Sequence, residues 1–586
     1  MQDIRDSLKK VIQDLYNLDF EPELVPSPDN IDADYSTNAP LKLAKELHKS
    51  PMQIATEIET FISDKGGFRS AAARELAREP RGDGSERREP VSDINVSPPG
   101  FLNFTLSDGY LNNSIENFDA NFSSSEFKDK TVICEFSDPN PFKVLHVGHL
   151  YTSIVGDSIA RLFEYAGAKV IRANFGGDVG LHVAKTMHIL RQKSIDELTI
   201  EDIAKCYIEG TAAYADDEQA KQEITQLNKE IYHINAEKLH DTDLAKLYWK
   251  GRKLSYDYFN RFYDSIGVKF DKYYPESTVA ELGLKKVQEQ LKNGVYEYSD
   301  GAVIFNGEKY GLHTRVFINQ EGVPTYETKD VGLIFTKWQD YHFDRSIVIT
   351  GSEQLDYMKV VLKSVEQYAP ELVKRTTHLI HGLVKLTGGV KMSSRKGNFL
   401  KAVDVLDMVR DELANEYNSS DNIICLAATK YAFLKYKMGG DIIFDPKESV
   451  KMTGNSGPYL LYSCVRAKKI LQKALNESEN NNRASIRDHR SESADEQELT
   501  LNSSERDLMK KLLEYRAVLD EAVAELAPHK VANYLYELAQ SFSRFYENCP
   551  VNGSDQEEKR IRLVKVYLDT MTHGLGLLGI NIPEEM

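Results

Sequence analysis

One stretch in the first third of the chain, residues 131–180, limits the folds that are open to it. Residues 131–136 form a short apolar run rich in β-branched side chains, which predicts a buried strand. A loop with two prolines follows, and apolar residues then recur at helical spacing from Val147 to about Gly167. A second strand is predicted at 169–174. Together these elements predict a βαβ unit, in which the loop before the helix favours nucleotides because free backbone N–H groups and the helix dipole face it.

Two histidines, His146 and His149, stand at the predicted start of that helix, with Gly148 between them. Because they are three residues apart, both imidazoles point the same way in a first helical turn. Gly148 lets a flat base or a ribose lie against the backbone. Imidazoles beside a triphosphate can donate hydrogen bonds to oxygens whose charge grows as pyrophosphate leaves. Two alternatives remain open on these residues alone: polar histidines at a helix start, and half of a metal site.

A second phosphate-binding element is predicted near residue 391. Residues 371–401 hold five lysines and two arginines against a single acid, Glu371, in a chain whose net charge is -17. Inside this segment, residues 391–397 read KMSSRKG, with three cations and two hydroxyls between glycines. Such a loop can close over a triphosphate and follow it through the transition state. On its own it also fits a loop that contacts RNA, or a solvated charged face.

Composition restricts the class of protein further. A length of 586 residues predicts three to four domains. No run approaches the roughly 18 apolar residues of a membrane helix, so we expect no membrane partner. The five cysteines are far apart, which disfavours a zinc ribbon or a disulfide framework, and the N-terminus does not resemble a leader. We therefore expect a cytoplasmic protein without a metal site of its own. The acidic balance also argues against indiscriminate binding of nucleic acid.

The order of patterns along the chain predicts its organisation. Residues 69–90 are highly charged and predict a mobile loop or a short exposed helix, and the polar residues 476–504 predict a disordered excursion. The segments that we predict are an N-terminal α+β domain (1–125), a sheet domain (126–400) with a helical insertion (181–265), a connecting helical segment (401–445) and a helical C-terminal domain (446–586).

Two further groups of side chains are candidates for binding. Tyr326 and Asp330 share one face of a predicted helix, and a carboxylate beside a ring suits a cationic ligand. Glu276 is a second acid that can converge on them, although each acid alone is more often solvated. In the predicted strand–turn–strand segment 94–106, Asn103 and Phe104 could pair with and stack on a base. The alternative is a strand edge with one core phenylalanine.

Taken together, these elements resemble a known family. HVGH (146–149) resembles the HIGH signature of class I aminoacyl-tRNA synthetases, and KMSSRKG (391–397) resembles the arginyl version of their KMSKS loop. The sequence EFSDPN before HVGH, the Tyr326 and Asp330 helix, residues 457–471 and the ending LLGINIPEEM are similar to arginyl-tRNA synthetases. The resemblance covers essentially the full length. It implies an α/β Rossmann-type parallel-sheet catalytic domain, an N-terminal α+β domain at the tRNA elbow and an all-α C-terminal anticodon-binding domain.

The resemblance also implies an activity and a set of roles. The activity is ATP-dependent activation of L-arginine to arginyl adenylate and transfer to the 3′-terminal ribose of tRNA-Arg, with Mg²⁺ accompanying ATP. Separately from the resemblance, we expect a monomer. Asn140 would hold the α-amino or carboxylate end of arginine. Glu276, Tyr326 and Asp330 would recognise the guanidinium, with Gln354 nearby, and Asn103 and Phe104 would contact tRNA. The implied ATP-binding residues are His146, Gly148, His149, Lys391, Met392, Ser393, Ser394 and Arg395.

One departure concerns the catalytic lysine. The fourth position of the KMSKS element is Ser394 rather than lysine, and Lys143 just before HVGH is expected to replace its charge, with Lys391 and Lys396 as alternatives. Two rival functions remain open. One is a synthetase for another amino acid, such as cysteine or glutamate, although a pocket with two carboxylates and a tyrosine favours a cation. The other is a catalytically silent RNA-binding relative.

Overall fold

The computed structural model describes residues 2–28, 30–64, 90–193, 198–387, 400–484 and 500–586. The predictions for residues 69–89, for the KMSSRKG element and for residues 485–499 lie outside these ranges. The described chain divides into two units. One comprises Met1–Asn121, Arg466–Ala517 and Glu537–Thr570, and the other comprises Phe122–Val465, Val518–Tyr536 and Met571–Met586.

The N-terminal segment is an α+β structure, as its patterns predict. Its four strands pair antiparallel in the order β1-β2-β4-β3, and a short turn after Ser97 joins β3 to β4. The elements are α1 (Gln2–Tyr16), β1 (Val25–Pro26), β2 (Tyr35–Thr37), α2 (Ala39–Leu47), α3 (Pro51–Asp64), β3 (Val91–Ser97), β4 (Phe101–Leu106) and α4 (Asp108–Glu116).

Strand β4 corrects one prediction. Asn103 and Phe104 are both 0% exposed. The Asn103 amide donates to Asn95 Oδ1 at 2.9 Å and to Ser97 Oγ at 3.0 Å, and its oxygen accepts from Ser36 Oγ at 2.7 Å. Because neither side chain has exposed surface, neither can pair with or stack on a base in this structure. The expected tRNA contact at these two positions is therefore wrong, and the alternative of a core strand describes them.

A five-stranded parallel sheet forms the centre of the second unit, in the order β12-β11-β5-β6-β7. The predicted βαβ unit is β5-α5-β6, and four helices are inserted between β6 and β7. The elements up to this point are β5 (Thr131–Glu135), α5 (Val147–Tyr165), β6 (Lys169–Gly176), α6 (Leu181–Leu190), α7 (Ile200–Asp216), α8 (Glu218–Ala236), α9 (Asp243–Ser265) and β7 (Lys272–Pro275).

The remaining strands of the sheet alternate with helices, and a small antiparallel sheet, β10-β9-β8, interrupts them. Apolar side chains from both, including Ile133, Val348 and Phe317, join one buried core. These elements are α10 (Glu276–Lys292), β8 (Glu297–Ser299), β9 (Ala302–Phe305), β10 (Arg315–Ile318), α11 (Tyr326–Tyr341), β11 (Arg345–Gly351), α12 (Leu355–Glu366), α13 (Pro370–Lys374) and β12 (Thr376–His381), with 3₁₀ turns at Gly307–Tyr310 and Ser352–Gln354.

Helices α10 and α11 touch through their backbones at two glycines. A Cβ on Gly283 would lie 2.0 Å from the Thr328 carbonyl oxygen, and one on Gly332 would lie 2.1 Å from that of Val279. Any larger residue would force the helices apart. This close approach brings the first residue of α10, Glu276, within reach of the first turn of α11.

The remaining described residues are almost entirely helical, as predicted, apart from a parallel pair of short strands. The elements are β13 (Val384–Leu386), α14 (Ala402–Tyr417), α15 (Asn422–Leu434), β14 (Ile442–Phe444), α16 (Pro446–Ser449), α17 (Gly457–Ala484), α18 (Ser503–Leu513), α19 (Tyr515–Ala524), α20 (Pro528–Asn548) and α21 (Glu557–Leu577). None of the described helices is long and apolar enough to cross a membrane.

The predicted excursion at 476–504 is too long. Helix α17 continues to Ala484, and residues 476–484 contain neither proline nor glycine, the residues that would end it. Helix α18 begins at Ser503, where the Asn502 side chain caps it. The predicted disordered segment therefore begins too early and ends too late.

Candidate active site

A cleft of about 710 Å³ opens in the second unit at the carboxyl ends of the parallel strands. Glu135 ends β5, Gly176 ends β6 and Gly351 ends β11, and all three line the cleft. Strand β5 lies where the strand order reverses, and ligands of open parallel sheets bind at that point. The predicted site residues that line this cleft are Asn140, His146, Gly148, His149, Glu276, Tyr326, Asp330 and Gln354.

The two histidines of HVGH cap their own helix. His146 is the N-cap residue of α5, and its Nδ1 accepts a hydrogen bond from the Gly148 N–H at 3.1 Å. In return, His149 Nδ1 accepts from the His146 N–H at 3.1 Å. This reciprocal arrangement is a capping box built from imidazoles instead of the usual hydroxyl and carboxylate.

The capping bonds determine which nitrogen of each ring carries the proton. A ring nitrogen that accepts from a backbone N–H has its lone pair there, so the proton of the neutral imidazole is on Nε2. Burial lowers the pKa of His146 to about 4 and that of His149 well below its usual value. Near neutral pH both side chains are therefore uncharged Nε2–H donors.

Gly148 keeps the two rings in place. The ring centroids are 3.7 Å apart, and a Cβ on Gly148 would lie 2.9 Å from the His146 ring. A side chain at this position would displace His146 and weaken its capping bond. Glycine at position 148 therefore has two explanations. It leaves room for a ligand, as the sequence suggests, and it also leaves room for the His146 imidazole.

The loop from Ser137 to Phe142 is fixed to the end of β6. Asn140 Oδ1 accepts from the Gly177 N–H at 2.7 Å, and Asp138 Oδ1 accepts from the Phe175 N–H at 2.8 Å. Asp138 has a φ of 50°, in the left-handed region that aspartate and asparagine tolerate better than most residues. The Asn140 oxygen keeps a second lone pair, so the side chain can offer both an acceptor and its Nδ2–H₂ donors to a ligand.

Asp330, the fifth residue of α11, accepts a hydrogen bond from the Tyr357 hydroxyl. Burial raises the pKa of Asp330 to about 8, and the charges of Glu135, Glu276 and Glu327 act in the same direction. The Tyr357 hydrogen bond opposes the rise. A carboxyl of this kind is ready to lose its proton to a cationic ligand, because the arriving charge stabilises the carboxylate.

Glu276 forms an ion pair with a lysine of the protein. Its Oε2 lies 2.6 Å from the Nζ of Lys329, and the two side chains are 6% and 3% exposed. Burial raises the pKa of Glu276, and Lys329 opposes that rise. The ammonium also lies 4.9 Å from the centroid of the Tyr326 ring. Glu276 therefore reaches the cleft as half of an ion pair, which is a different state from the solitary acid that the sequence suggested.

Two other acids of the cleft are paired in the same way. Glu135 Oε2 lies 2.8 Å from Lys337 Nζ, and Glu327 Oε1 lies 3.1 Å from Arg315 Nη1. Sequence reasoning missed these four residues, and also Lys329 and Tyr357. Lys329 stands beside Asp330 in the sequence, so its position was visible, but no local pattern signals that Tyr357 or Lys337 contacts an acid from another element.

Lys143 does not line the cleft. Its Nζ lies 4.8 Å from the centroid of the Tyr207 ring in α7. Its positive charge nevertheless contributes to the lowered pKa of both HVGH histidines, so its field reaches the site. Lys391, Met392, Ser393, Ser394, Arg395 and Lys396 lie outside the described residues.

Comparison with known proteins agrees with this geometry. Three family models match the chain, with the descriptions "Arginyl tRNA synthetase N terminal domain" at residues 2–106, "tRNA synthetases class I (R), catalytic domain" at residues 115–445 and "DALR anticodon binding domain" at residues 460–586.

Individual relatives match over most of their length. An arginine–tRNA ligase of Fusobacterium nucleatum is 28% identical over 100% of this chain and 99% of its own. One of Borrelia garinii is 31% identical over 80% and 83%. The solved arginyl-tRNA synthetase of Thermus thermophilus has a TM-score of 0.74 at 22% identity, with 100% of both chains covered, and that of Plasmodium falciparum has 0.72 at 20%, with 100% and 99% covered. These two structures have the same fold.

The parallel sheet, the HVGH helix start at its carboxyl edge and the catalytic-domain match define a class I aminoacyl-tRNA synthetase. The predicted fold class is thereby confirmed. Since the matching catalytic-domain model covers more than half of the chain, and models of the two flanking domains match as well, the chain belongs to the arginyl-tRNA synthetase family. It is an arginine–tRNA ligase.

Proposed function

We propose that the cleft at the carboxyl edge of the parallel sheet activates L-arginine and then transfers it to tRNA-Arg. In the first step a carboxylate oxygen of arginine attacks the α-phosphorus of ATP, the bond to pyrophosphate breaks, and arginyl adenylate forms. In the second step a hydroxyl of the 3′-terminal ribose attacks the arginyl carbonyl and AMP leaves. The protein contributes positioning and charge stabilisation, without a covalent nucleophile. The observation that carries this assignment is the pair of neutral Nε2–H donors at His146 and His149, opposite an acid-lined pocket.

ATP lies against the start of α5 in this proposal. His146 and His149 donate from Nε2 to phosphate oxygens, and donors that are neutral and already fixed by capping bonds need no reorganisation as charge develops. Gly148 provides the flat surface for ribose or base. Lys391, Met392, Ser393, Ser394 and Arg395 are expected to contact the phosphates, as the family resemblance implies, and Mg²⁺ enters with ATP as part of that substrate.

The charge that neutralises the leaving pyrophosphate is assigned to Lys143, with Lys391 and Lys396 as alternatives. What supports Lys143 is the reach of its field to both HVGH histidines. Substituting the three lysines one at a time by methionine separates them, because the lysine that acts in the transition state lowers kcat while KM for ATP stays nearly constant.

Arginine occupies the opposite half of the cleft. Asp330, supported by Tyr357, pairs with the guanidinium, and Tyr326, Gln354 and Glu276, the last paired with Lys329, complete that end. Asn140 holds the α-amino or carboxylate end, because its amide offers both an acceptor oxygen and Nδ2–H₂ donors.

We also propose a cytoplasmic monomer. The five cysteines are all buried free thiols, which is compatible with a reducing compartment. Light scattering coupled to size-exclusion chromatography measures the molar mass directly. A mass near 66.5 kDa supports the monomer, and twice that value contradicts it.

ATP–pyrophosphate exchange in the presence of tRNA-Arg tests the assignment of the two halves. Asp330→Asn should raise KM for arginine about 100-fold and leave KM for ATP within about twofold, because it removes the charge that pairs with the guanidinium. His149→Ala should lower kcat by about 10²–10³, the usual cost of one transition-state donor. If Asp330→Asn raised both KM values equally, the arginine pocket would be wrongly assigned.

A further inference from the structure

The turn after β6 contacts both ends of the arginine pocket through two consecutive residues. The Gly177 N–H donates to Asn140 Oδ1 at 2.7 Å, and Asn140 is the residue proposed for the α-amino or carboxylate end. Asp178, the next residue, contacts the first turn of α10, which carries Glu276 at the guanidinium end. Consecutive Cα atoms are about 3.8 Å apart. Both ends of the pocket are therefore held by one short piece of backbone.

Helix α10 receives its N-terminal cap from Asp178, which lies 99 residues before Ser277 in the sequence. The residue that precedes the helix, Pro275, makes no side-chain capping bond. Instead, Asp178 Oδ1 accepts from the Ser277 N–H at 3.0 Å, and its Oδ2 accepts from Ser277 Oγ at 2.8 Å. A carboxylate at this end of a helix satisfies an unpaired N–H and interacts favourably with the helix dipole. The position of Glu276, one residue before Ser277, therefore depends on Asp178.

Asp178 is itself fixed by helix α9. It is 0% exposed and does not line the cleft. Its Oδ2 accepts from Arg252 Nε at 2.9 Å, and its backbone oxygen accepts from the Tyr248 hydroxyl at 3.1 Å. The Arg252 guanidinium lies 5.0 Å from the centroid of the Tyr256 ring, which restricts it in turn. A buried carboxylate with this set of partners has little freedom to move, so it gives α10 a fixed starting point.

Gly177 shows how close the two ends of the pocket come at this turn. A Cβ at position 177 would lie 2.8 Å from Asn140 Oδ1 and 3.0 Å from Glu276 Oε1. Both side chains therefore lie next to the same Cα atom. Their separation is set by their separate attachments to the turn, through the Gly177 N–H for one and through the Asp178 cap for the other.

We propose that the Gly177–Asp178 turn sets the length of the amino acid that the pocket accepts, with Asp178 as a positioning residue for the guanidinium end. This role rests on the proposed function. The charge of the pocket selects a cation, whereas the turn selects the number of methylene groups between that cation and the α-carbon. One methylene more or less changes specificity by roughly 10–200-fold when the site does not adjust, and a fixed turn prevents the adjustment.

Asp178→Ala and Asp178→Asn form a matched pair of variants. Both remove the charge that pairs with Arg252, so both should lose a comparable amount of stability. Alanine also removes both acceptors of Ser277, whereas the asparagine Oδ1 can still accept from the Ser277 N–H. Ser277→Ala is a third variant, which removes only the hydroxyl contact and leaves the pair of Asp178 with Arg252 in place. Thermal unfolding shows whether each variant is folded.

The measurement compares ligands that differ from arginine either in length or in charge. In tRNA charging assays, KM for arginine is set against the inhibition constants of three compounds. Homoarginine is one methylene longer, 2-amino-4-guanidinobutanoic acid is one methylene shorter, and citrulline has the same length but a neutral urea.

The preference for arginine over the two length analogues should fall about tenfold in Asp178→Ala, because the start of α10 is no longer held. The fall should be about threefold in Ser277→Ala, which loses one hydrogen bond. Asp178→Asn should keep this preference, since its capping acceptor remains. The preference over citrulline should persist in all three variants, because Asp330 is unchanged.

An unchanged length preference in a folded Asp178→Ala protein would overturn the proposal. If that variant does not fold, an unchanged preference in Ser277→Ala would do the same. An equal fall in Asp178→Ala and Asp178→Asn, or an equal loss of the preference over citrulline, would give Asp178 a general structural role and would also overturn it. Failure of the wild type to charge arginine would instead overturn the proposed function itself.

Discussion

Burial acts on the histidines and on the acids of the cleft in the same sense, since in both it favours the neutral form. It lowers the pKa of His146 to about 4 and raises that of Asp330 to about 8. For His146 the neutral state is the useful one, because it keeps a fixed Nε2–H donor. For Asp330 the charged state is the useful one, and the guanidinium of arginine supplies the interaction that restores it.

The raised pKa of Asp330 predicts a pH dependence of arginine binding. Below pH 8 the carboxyl is protonated in the free enzyme and must release a proton to pair with a guanidinium. KM for arginine should therefore fall as pH rises from 6 to 8, by up to about tenfold per unit, and level off above 8. KM for ATP should stay nearly flat over this range, because both HVGH histidines are already neutral.

Asp330→Asn is the control for this profile. The amide does not titrate, so the part of the slope that belongs to Asp330 should disappear in the variant. If the pH dependence of KM for arginine were unchanged in the variant, the titrating group would be one other than Asp330.

A methyl group at Gly148 should damage catalysis more than binding. In Gly148→Ala the added Cβ would lie 2.9 Å from the His146 ring. The ring must therefore rotate, and its Nε2–H no longer has the orientation that the capping bond fixes. We expect kcat for ATP–pyrophosphate exchange to fall about 100-fold, the scale of one lost transition-state donor, with a smaller change in KM for ATP. Normal kcat in a folded Gly148→Ala protein would show that the position of the His146 ring does not matter.

At the level of elements, the contact between α10 and α11 positions the arginine pocket. Gly283 and Gly332 allow the two backbones to touch, which places Glu276 of one helix against Lys329 of the other. Asp330 is carried by the same turn of α11 as Lys329. A change in the distance between these helices would therefore move both acids of the pocket together.

Gly332→Ala should separate the helices. A Cβ 2.1 Å from a backbone oxygen cannot be accommodated by side-chain rotation, so we expect a loss of about 3 kcal/mol in the free energy of unfolding. KM for arginine should rise about tenfold, with KM for ATP little changed. Denaturant unfolding and exchange kinetics measure the two effects.

Gly576→Ala provides the control for Gly332→Ala. Gly576 is also helical, but a Cβ there meets nothing within 4 Å, so the change should be neutral or slightly stabilising. Equal destabilisation by the two substitutions would mean that the contact between α10 and α11 is not the cause.

The elements were more predictable than their contacts. Strand β5, the HVGH helix and β6 follow from hydrophobic periodicity and from proline and glycine positions, which are local signals. The side chains of Asn140, His146, His149 and Asp330 were predicted and do line one cleft. The charge state of that cleft was not predictable, because it depends on pairs such as Glu135 with Lys337, which are 202 residues apart. Phe104 shows the same limit, since periodicity does not tell a core strand from a base-stacking one.

At the scale of the whole molecule, one of the two units is built from three segments that are far apart in the sequence. Asp34, which precedes β2, accepts hydrogen bonds from the Leu106 N–H at 2.7 Å, from Arg506 at 2.8 Å and from Lys510 at 2.8 Å. The last two residues belong to α18, more than 470 residues later in the chain. The N-terminal sheet and part of the C-terminal helices therefore fold as one body, which no local pattern in either segment indicated.

Asp34→Asn should destabilise this unit selectively. Its side chain is 8% exposed, and loss of its charge leaves Arg506 and Lys510 without their shared partner. We expect a loss of about 2–4 kcal/mol, measured as an earlier unfolding transition in denaturant. KM for arginine should not change, because every residue of the cleft belongs to the other unit.

Glu23→Gln is the surface control for Asp34→Asn. It removes an exposed pair with Lys42, and pairs of that kind contribute little to stability, so no measurable shift is expected. A stability change as large as that of Asp34→Asn would contradict the importance given to the buried network.

The most direct test of the central claim is charging of total tRNA with each standard amino acid offered separately as a labelled substrate. We predict that arginine alone is incorporated and that incorporation is lost in His149→Ala. Incorporation of a different amino acid would leave the fold and the ATP site in place but contradict the arginine pocket. No incorporation by folded protein that binds tRNA would contradict the enzymatic assignment altogether.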